Sequence, residues 1–263
     1  MSNKKEVGTI ETKIINADIF EGLEKIPNGT IDLIFIDPPY NLSKKYANDI
    51  FDRWENDEEY IKWVYKWLDL AIEKLSDKGS LYIMNTTQNM PYIDIFLRKK
   101  IYIKSRIVWS YDSSGVQAKK FYGSLYEPIL FCTKHKTKYT FNSEDILIPA
   151  KTGSERKLID YRKNPPERYN AFKVPGNVWD FSRVRYKMEE YISHPSQKPE
   201  LLLERIVKAS SNEGDLVLDL FAGTFSLGRV SQRNNRNYIG IELSKEYCAI
   251  GQNRLEDAEM YHK

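Results

Sequence analysis

The stretch Asp215-Leu216-Val217-Leu218-Asp219-Leu220-Phe221-Ala222-Gly223-Thr224-Phe225-Ser226-Leu227-Gly228 decides the fold. Its first five residues are a short apolar run between two acids, which reads as a buried strand, and the small-residue loop behind it opens a helical pattern. A second run, Asn237-Tyr238-Ile239-Gly240-Ile241, ends in Glu242, 19 residues beyond Gly223. Strand, small-residue loop, helix, strand, acid is the order of a nucleoside-binding βαβ unit. The loop lets a ligand approach the carboxyl end of the first strand, and the acid hydrogen-bonds a ribose diol. Phe225 stands where a dinucleotide fingerprint has its second glycine. A phenylalanine there keeps a pyrophosphate off the backbone, so the pattern speaks against NAD or FAD. It suits a nucleoside without phosphates, such as S-adenosylmethionine. A plain structural turn in an α/β sheet is the competing reading.

Working outward, the same alternation recurs. Residues 199–210 place Leu202, Leu203, Ile206 and Val207 at helical spacing. Near the other end, Ile31-Asp32-Leu33-Ile34-Phe35-Ile36 is a buried strand stopped by Pro38 and Pro39. Residues 58–75 carry Ile61, Val64, Leu68, Ala71, Ile72 and Leu75 on one helical face, and Lys78-Gly79 then reads as a terminator. Residues 80–84, 106–109 and 128–132 are further strands. Strands alternating with helices of this length predict parallel βαβ units. From 141 to 193 periodicity is lost among Lys, Arg, Asn, Pro and Tyr, so this segment is expected to be an irregular insertion. The chain thus divides at 1–140, 141–193 and 194–263, and 263 residues suffice for one large α/β domain carrying an insertion.

Composition bounds the function. No run approaches the ~18–20 apolar residues of a membrane span, and the polar N-terminus lacks the apolar core of a signal peptide. Cys132 and Cys248 lie in unrelated segments without metal-ligand spacing, so neither a disulfide scaffold nor a metal site is expected, and a cytoplasmic location is. Net charge is only +3, but it is unevenly spread: residues 98–138 hold ten Lys/Arg against two Asp/Glu, and 151–187 hold ten against four. Aromatics such as Tyr111, Phe121, Tyr122 and Trp179 are interleaved with these charges, which suits a surface that tracks phosphates and stacks on bases. The charge alone fits an ordinary solvated face equally well.

Asp37-Pro38-Pro39-Tyr40 follows the first buried strand, where open α/β sheets bind ligands. Pro38 holds Asp37 extended. The two prolines fix φ and offer carbonyls without N–H donors. The result is a rigid edge of acceptors, the Asp37 carboxylate and the Pro38 carbonyl. Such an edge suits an amine with two protons, such as adenine N6, whose lone pair is delocalised until its hydrogens are gripped. Tyr40 can stack on the base, worth about 1–3 kcal/mol. The similar Asn164-Pro165-Pro166-Glu167 follows a charged segment and replaces the aromatic by Glu, so it reads as a loop.

In motif order the chain resembles the β-class of bacterial DNA amino-methyltransferases, the N6-adenine and N4-cytosine enzymes. Asp37-Pro38-Pro39-Tyr40 comes first, then a variable basic segment, His194-Pro195-Ser196-Gln197-Lys198-Pro199, the 219–226 loop, and Glu242. Asn16-Ala17-Asp18 looks like the family's short Gly-Asp segment with Ala for Gly. The likeness covers nearly the whole chain and is nearest to solitary adenine methyltransferases. It implies a Rossmann-like, mostly parallel seven-stranded sheet with one reversed strand and a circularly permuted motif order. It implies Asp37, Pro38, Pro39 and Tyr40 as the catalytic residues. S-Adenosylmethionine contacts would come from Asp18, Asp37, His194, Ser196, Gln197, Lys198, Asp219, Phe221, Ala222, Gly223, Thr224, Phe225, Ser226 and Glu242. Residues 141–193 would recognise double-stranded DNA with loops 44–54 and 113–122 nearby, and the target base would flip out of the stack at a cost of a few kcal/mol. A homodimer is compatible with the family. N4-cytosine methylation is the nearest alternative, but the family usually has Ser where this chain has Asp37. C5-cytosine chemistry needs a cysteine nucleophile, and both cysteines read as core residues. A catalytically inactive DNA-binding relative is the reading from another class.

Overall fold

The computed structural model describes residues 10–44, 52–111, 119–150, 158–192 and 196–260. In chain order the elements are β1 (Thr12–Asn16), α1 (Ile19–Glu24), β2 (Ile31–Ile36), α2 (Asp57–Lys74), β3 (Leu75–Met84), α3 (Met90–Leu97), β4 (Tyr102–Ser110) and β5 (Tyr126–Thr133). Short strands follow in the insertion: β6 (Ile148–Pro149), β7 (Ile159–Asp160), β8 (Glu167–Arg168), β9 (Phe172–Lys173) and β10 (Val178–Asp180). The chain closes with α4 (Glu200–Ser210), β11 (Leu216–Asp219), α5 (Ser226–Arg233), β12 (Asn237–Glu242) and α6 (Lys245–Met260).

The main sheet has the order β1-β12-β11-β2-β3-β5-β4-β10. Only β5 runs antiparallel to its neighbours β3 and β4. The mostly parallel sheet with one reversed strand is therefore present, and β10 extends the expected seven strands to eight by pairing Val178, Trp179 and Asp180 with Val108, Trp109 and Ser110. The insertion is more ordered than its sequence suggests: β6 pairs with β9 and β7 with β8. Three-residue or shorter pairings leave no periodicity to read.

Both faces of the sheet are covered, which is why β2 is apolar from Leu33 to Ile36. Leu33 and Phe35 pack under α4 and α5 with Leu202, Ile206 and Val230. Ile34 and Ile36 pack under α1 and α2 with Leu23, Val64 and Leu68. The start of α2 is set locally. Asn56 accepts a hydrogen bond from the Glu59 N–H at 2.9 Å, and Asp57, Glu58 and Glu59 oppose the positive end of the helix dipole.

The topology also locates a crevice. From β2 the chain crosses to β3 on one side, and from β11 it crosses to β12 on the other. The carboxyl ends of β2 and β11 are thus the switch point, where neighbouring crossovers diverge and leave a gap. Asp219 is in register with Phe35, two residues before Asp37.

Candidate active site

A cavity of about 340 Å³ opens at that switch point. Asp18, Asp37, Ser196, Phe221, Gly223 and Glu242 line it, so the structure brings together both sequence motifs that suggested chemistry. Asp37 and Phe221, from neighbouring strand ends, face the same space. Asp18 also caps α1, its carboxylate accepting from the Phe20 and Glu21 N–H groups at 2.7 and 3.1 Å.

Glu242 closes the second strand and ties the site together. One oxygen accepts from the Gly223 N–H and the other from the Ser244 N–H, both at 2.8 Å. Burial pushes its pKa up despite these donors. Asp219 lies behind the wall rather than on it. It accepts weakly from the Phe221 N–H and the Tyr238 hydroxyl, each at 3.4 Å. Burial pushes its carboxyl up to about 8, with the Asp37 and Glu242 charges adding to the effect. Ala222, Thr224, Phe225 and Ser226 carry the loop without lining the described cavity. Phe225 takes a left-handed backbone (φ 59°), and its ring turns inward, fully buried between β12 and α6. It therefore leaves the mouth of the loop clear. Arg254 on α6 fastens the loop from below, donating to the Thr224 carbonyl and, at 3.2 Å, to Ser226 Oγ.

Gln197 and Lys198 do not line this cavity either. The Gln197 side chain accepts from the Ile192 N–H at 2.8 Å and donates to the Glu190 carbonyl at 2.5 Å. It anchors the segment entering α4. The Lys198 ammonium meets Asp37 Oδ2 at 2.7 Å and Glu127 Oε2 at 3.7 Å, and it lies over the Tyr40 ring. Burial lowers its pKa, but the Asp37 and Glu127 charges outweigh this and leave it raised. His194 lies outside the described residues, as do positions 45–51 and 113–118 of the two loops expected beside the target base.

The turn from Asp37 to Tyr40 is held from several sides. The Tyr60 hydroxyl donates to the Pro39 carbonyl at 2.8 Å and itself accepts from Asn85 Nδ2 at 2.7 Å. Buried Asp52 accepts from the N–H groups of Tyr40 and Leu42 at 3.3 and 3.2 Å, and from that of Lys44. Tyr40 is itself buried, and its hydroxyl donates to Asp37 Oδ1 at 2.5 Å and to Glu127 Oε2 at 3.2 Å. Burial, followed by the Asp37 and Glu127 charges, raises its pKa well above that of an ordinary phenol, so it stays a proton donor. Glu127 and Asp52 belong to no motif. The one signal for Glu127 is that it is the only charged residue in its strand, Tyr126–Thr133.

The cavity wall fits a cationic nucleoside. Its described lining includes four acidic residues, Asp18, Asp37, Asp52 and Glu242, and no Lys or Arg. That arrangement opposes phosphates and favours a positive charge. Trp63 and Phe221, with ring centroids 5.9 Å apart, add an aromatic wall on which a base can lie. Elsewhere, Cys132 sits in the core of β5, where burial pushes its thiol pKa up, the reverse of an activated nucleophile. Asn164, Pro165, Pro166 and Glu167 are exposed, away from any such wall.

Comparison with known proteins agrees with this geometry. The type II methyltransferase M.HpaI of Haemophilus parainfluenzae is 35% identical over 94% of this chain and 75% of its own length. The DNA adenine methyltransferase YhdJ of Escherichia coli K12 is 56% identical over 94% of this chain and 84% of its own length. Among solved structures, the M1.HpyAVI–SAM complex superposes with a TM-score of 0.65 at 24% identity, covering 93% of this chain and 98% of its own. The cytosine-N4-specific PvuII DNA methyltransferase gives 0.69 at 18% identity, covering 96% and 91%. These two share the fold. The DNA methylase model for N6 and N4 enzymes matches residues 31–253, and the chain belongs to that family.

Proposed function

We propose that this protein transfers the methyl group of S-adenosylmethionine to N6 of adenine in double-stranded DNA. One observation carries the reading: the carboxylate of Asp37, fixed at the tip of β2, faces the same acidic cavity as Phe221 and Glu242 on the neighbouring strands. When bound, the cofactor supplies an electrophilic methyl group on a positively charged sulfur. Glu242 would hold the ribose diol, Phe221 and Trp63 the adenine ring, and Asp18 with Ser196 the amino-acid end. Asp219, Ala222, Gly223, Thr224, Phe225 and Ser226 shape the loop beneath it.

Asp37 would accept one hydrogen of the target amine and the Pro38 carbonyl the other. The Pro39 carbonyl is already taken by Tyr60. Gripping both hydrogens frees the nitrogen lone pair toward the cavity, and the protein's contribution is mostly placement. The flipped base would lie on the side of Asp37 away from Glu242. Residues 141–193 would contact the duplex, and the three segments 1–140, 141–193 and 194–263 are working units of one domain. Action on DNA would be in the cytoplasm. Among the described residues no helix is long and apolar enough to cross a membrane. A homodimer is compatible with this arrangement.

The test is transfer of label from methyl-tritiated S-adenosylmethionine to duplex DNA, with the modified nucleoside identified by mass spectrometry. N6-methyladenine is the expected product. D37A should abolish transfer while retaining most of the cofactor binding, since one acceptor for the amine is lost while Glu242, Phe221 and Trp63 remain in the cavity wall. Equal incorporation by D37A and wild type would reject the role of Asp37, and N4-methylcytosine as product would replace adenine as the target.

A further inference from the structure

Four side chains from three separate parts of the chain meet beside the cavity. Asp37 follows β2, Tyr40 lies three residues on, Glu127 is the second residue of the reversed strand β5, and Lys198 precedes α4. Both oxygens of Asp37 are anchored, Oδ2 by the Lys198 ammonium at 2.7 Å and Oδ1 by the Tyr40 hydroxyl at 2.5 Å. Glu127 Oε2 reaches the same two partners, Tyr40 at 3.2 Å and Lys198 at 3.7 Å. The side chains of Lys198, Asp37 and Glu127 are 7%, 12% and 15% exposed, so this is a largely dry cluster of two negative charges and one positive.

Such a cluster is more than Asp37 needs for support. A single ammonium beside a single carboxylate would be neutral. The second carboxylate leaves a net charge of −1, matched to a step that releases one proton. In the transfer the amine lone pair forms the N–C bond, the C–S pair remains on sulfur, and the nitrogen must then lose one hydrogen as a proton. We propose that Lys198 and Glu127 are positioning residues of this step: Lys198 fixes Asp37 through their ion pair, and Glu127 receives the released proton through Asp37 and the Tyr40 hydroxyl. Asp37 takes the proton from nitrogen, Tyr40 accepts it from Asp37 while giving its own to Glu127, and the cluster ends neutral. This assigns Lys198 to the catalytic carboxylate rather than to the cofactor, and it rests on the methyltransferase reading above.

The other charged or titratable groups facing the cluster include Lys44 from the β2 side, Tyr60 on α2, Tyr111 beyond β4, Arg183 beyond β10 and Asp219 on β11. Lys44 is held by burial and by Lys198 below its ordinary pKa, which makes it a poor substitute for the Lys198 charge.

Two variants test the assignment. K198M leaves two buried carboxylates without their cation, and like charges so close share a proton. Infrared difference spectra of the cofactor-free protein should then show one additional protonated-carboxyl stretch relative to wild type, absent from K198M/E127Q. Single-turnover methylation by K198M should fall at least ~100-fold near neutrality, and part of it should return in alkaline buffer, which loss of packing alone would not produce. E127Q, which keeps the shape and loses the charge, should slow single turnover about 10-fold while cofactor and DNA affinities stay within about twofold of wild type. A K198M protein without the extra stretch, or an E127Q protein with the wild-type rate, overturns the assignment. If K198M fails to fold, E127Q alone decides. If the infrared band is present but wild-type protein moves no methyl group to DNA, the methyltransferase reading falls, and the proton role with it.

Discussion

Buried acids divide the labour at the scale of single residues, and their environments say how. Tyr40 is a donor to Asp37 rather than an exposed stacking ring, because its hydroxyl spans two carboxylates. Y40F should therefore keep cofactor binding and lower the single-turnover rate about 10-fold, in line with losing one hydrogen bond to a charged group. Asp219 makes the opposite demonstration. Its pKa, pushed up to about 8 by burial, lies above the ~4 of an exposed aspartate, so the folded chain holds a proton there that the unfolded chain has lost. The stability from this site is fully present below about pH 4 and is lost as pH rises through about 8. D219N, neutral throughout, should show no such loss. The gap between its melting temperature and that of wild type should widen in favour of the variant across this window, worth about 1–3 kcal/mol at the alkaline end for a buried group. Thermal melts of the cofactor-free proteins at a series of pH values check the sign, and parallel curves would refute it.

Packing between elements decides what the cofactor loop can be. Phe225 enters α5 with a left-handed backbone and sends its ring down between β12 and α6, where Gly240 and Gly251 make room. A methyl group built on Gly240 would lie 2.7 Å from that ring, and one on Gly251 closer still. Intrinsic propensity favours Ala over Gly in a helix by about 1 kcal/mol, yet G251A should destabilise the protein by about 1–3 kcal/mol through overpacking. Urea denaturation of G251A, F225A and the double variant would reveal the coupling, since the double variant should lose less than the sum. The inward ring was not legible in the sequence, where Phe225 could only be seen as a missing glycine. What was legible came from burial on both sheet faces: β2, β11 and β12 are apolar runs for that reason, and α2 and α4 show their helical stripes. Lys78-Gly79 misled as a terminator, since β3 begins directly after α2 and runs through it, slipping register against β2 between Ile31 and Leu33. Glu127 escaped notice because its role depends on the reversal of β5, which brings that strand's first residues to the end of the sheet where β2 finishes.

That reversal also orients the whole molecule toward its substrate. Because β5 runs backward, residues 119–125 sit at the same end of the sheet as Asp37, and Glu127 marks the junction. Lys119 and Lys120 are exposed there, followed by the exposed rings of Phe121 and Tyr122. No described carboxylate pairs with either lysine. The basic excess of the insertion is partly spent internally: Arg162 pairs with Asp160 at 2.8 Å and Lys163 with Glu167 at 2.7 Å. A count of charges along the chain treats these cations alike, whereas only unpaired ones at the catalytic end are free to displace counterions from a duplex. K119A/K120A should therefore weaken DNA binding by a similar factor on every sequence and reduce the slope of log affinity against log salt by about 2, close to one unit per phosphate contact. R162A, which removes a cation already neutralised, should change the slope by much less. Fluorescence anisotropy of a labelled duplex across a salt series separates the two. If R162A moved the slope as far as the double lysine variant, DNA would be approaching across the insertion rather than over the end of the sheet where Asp37 stands.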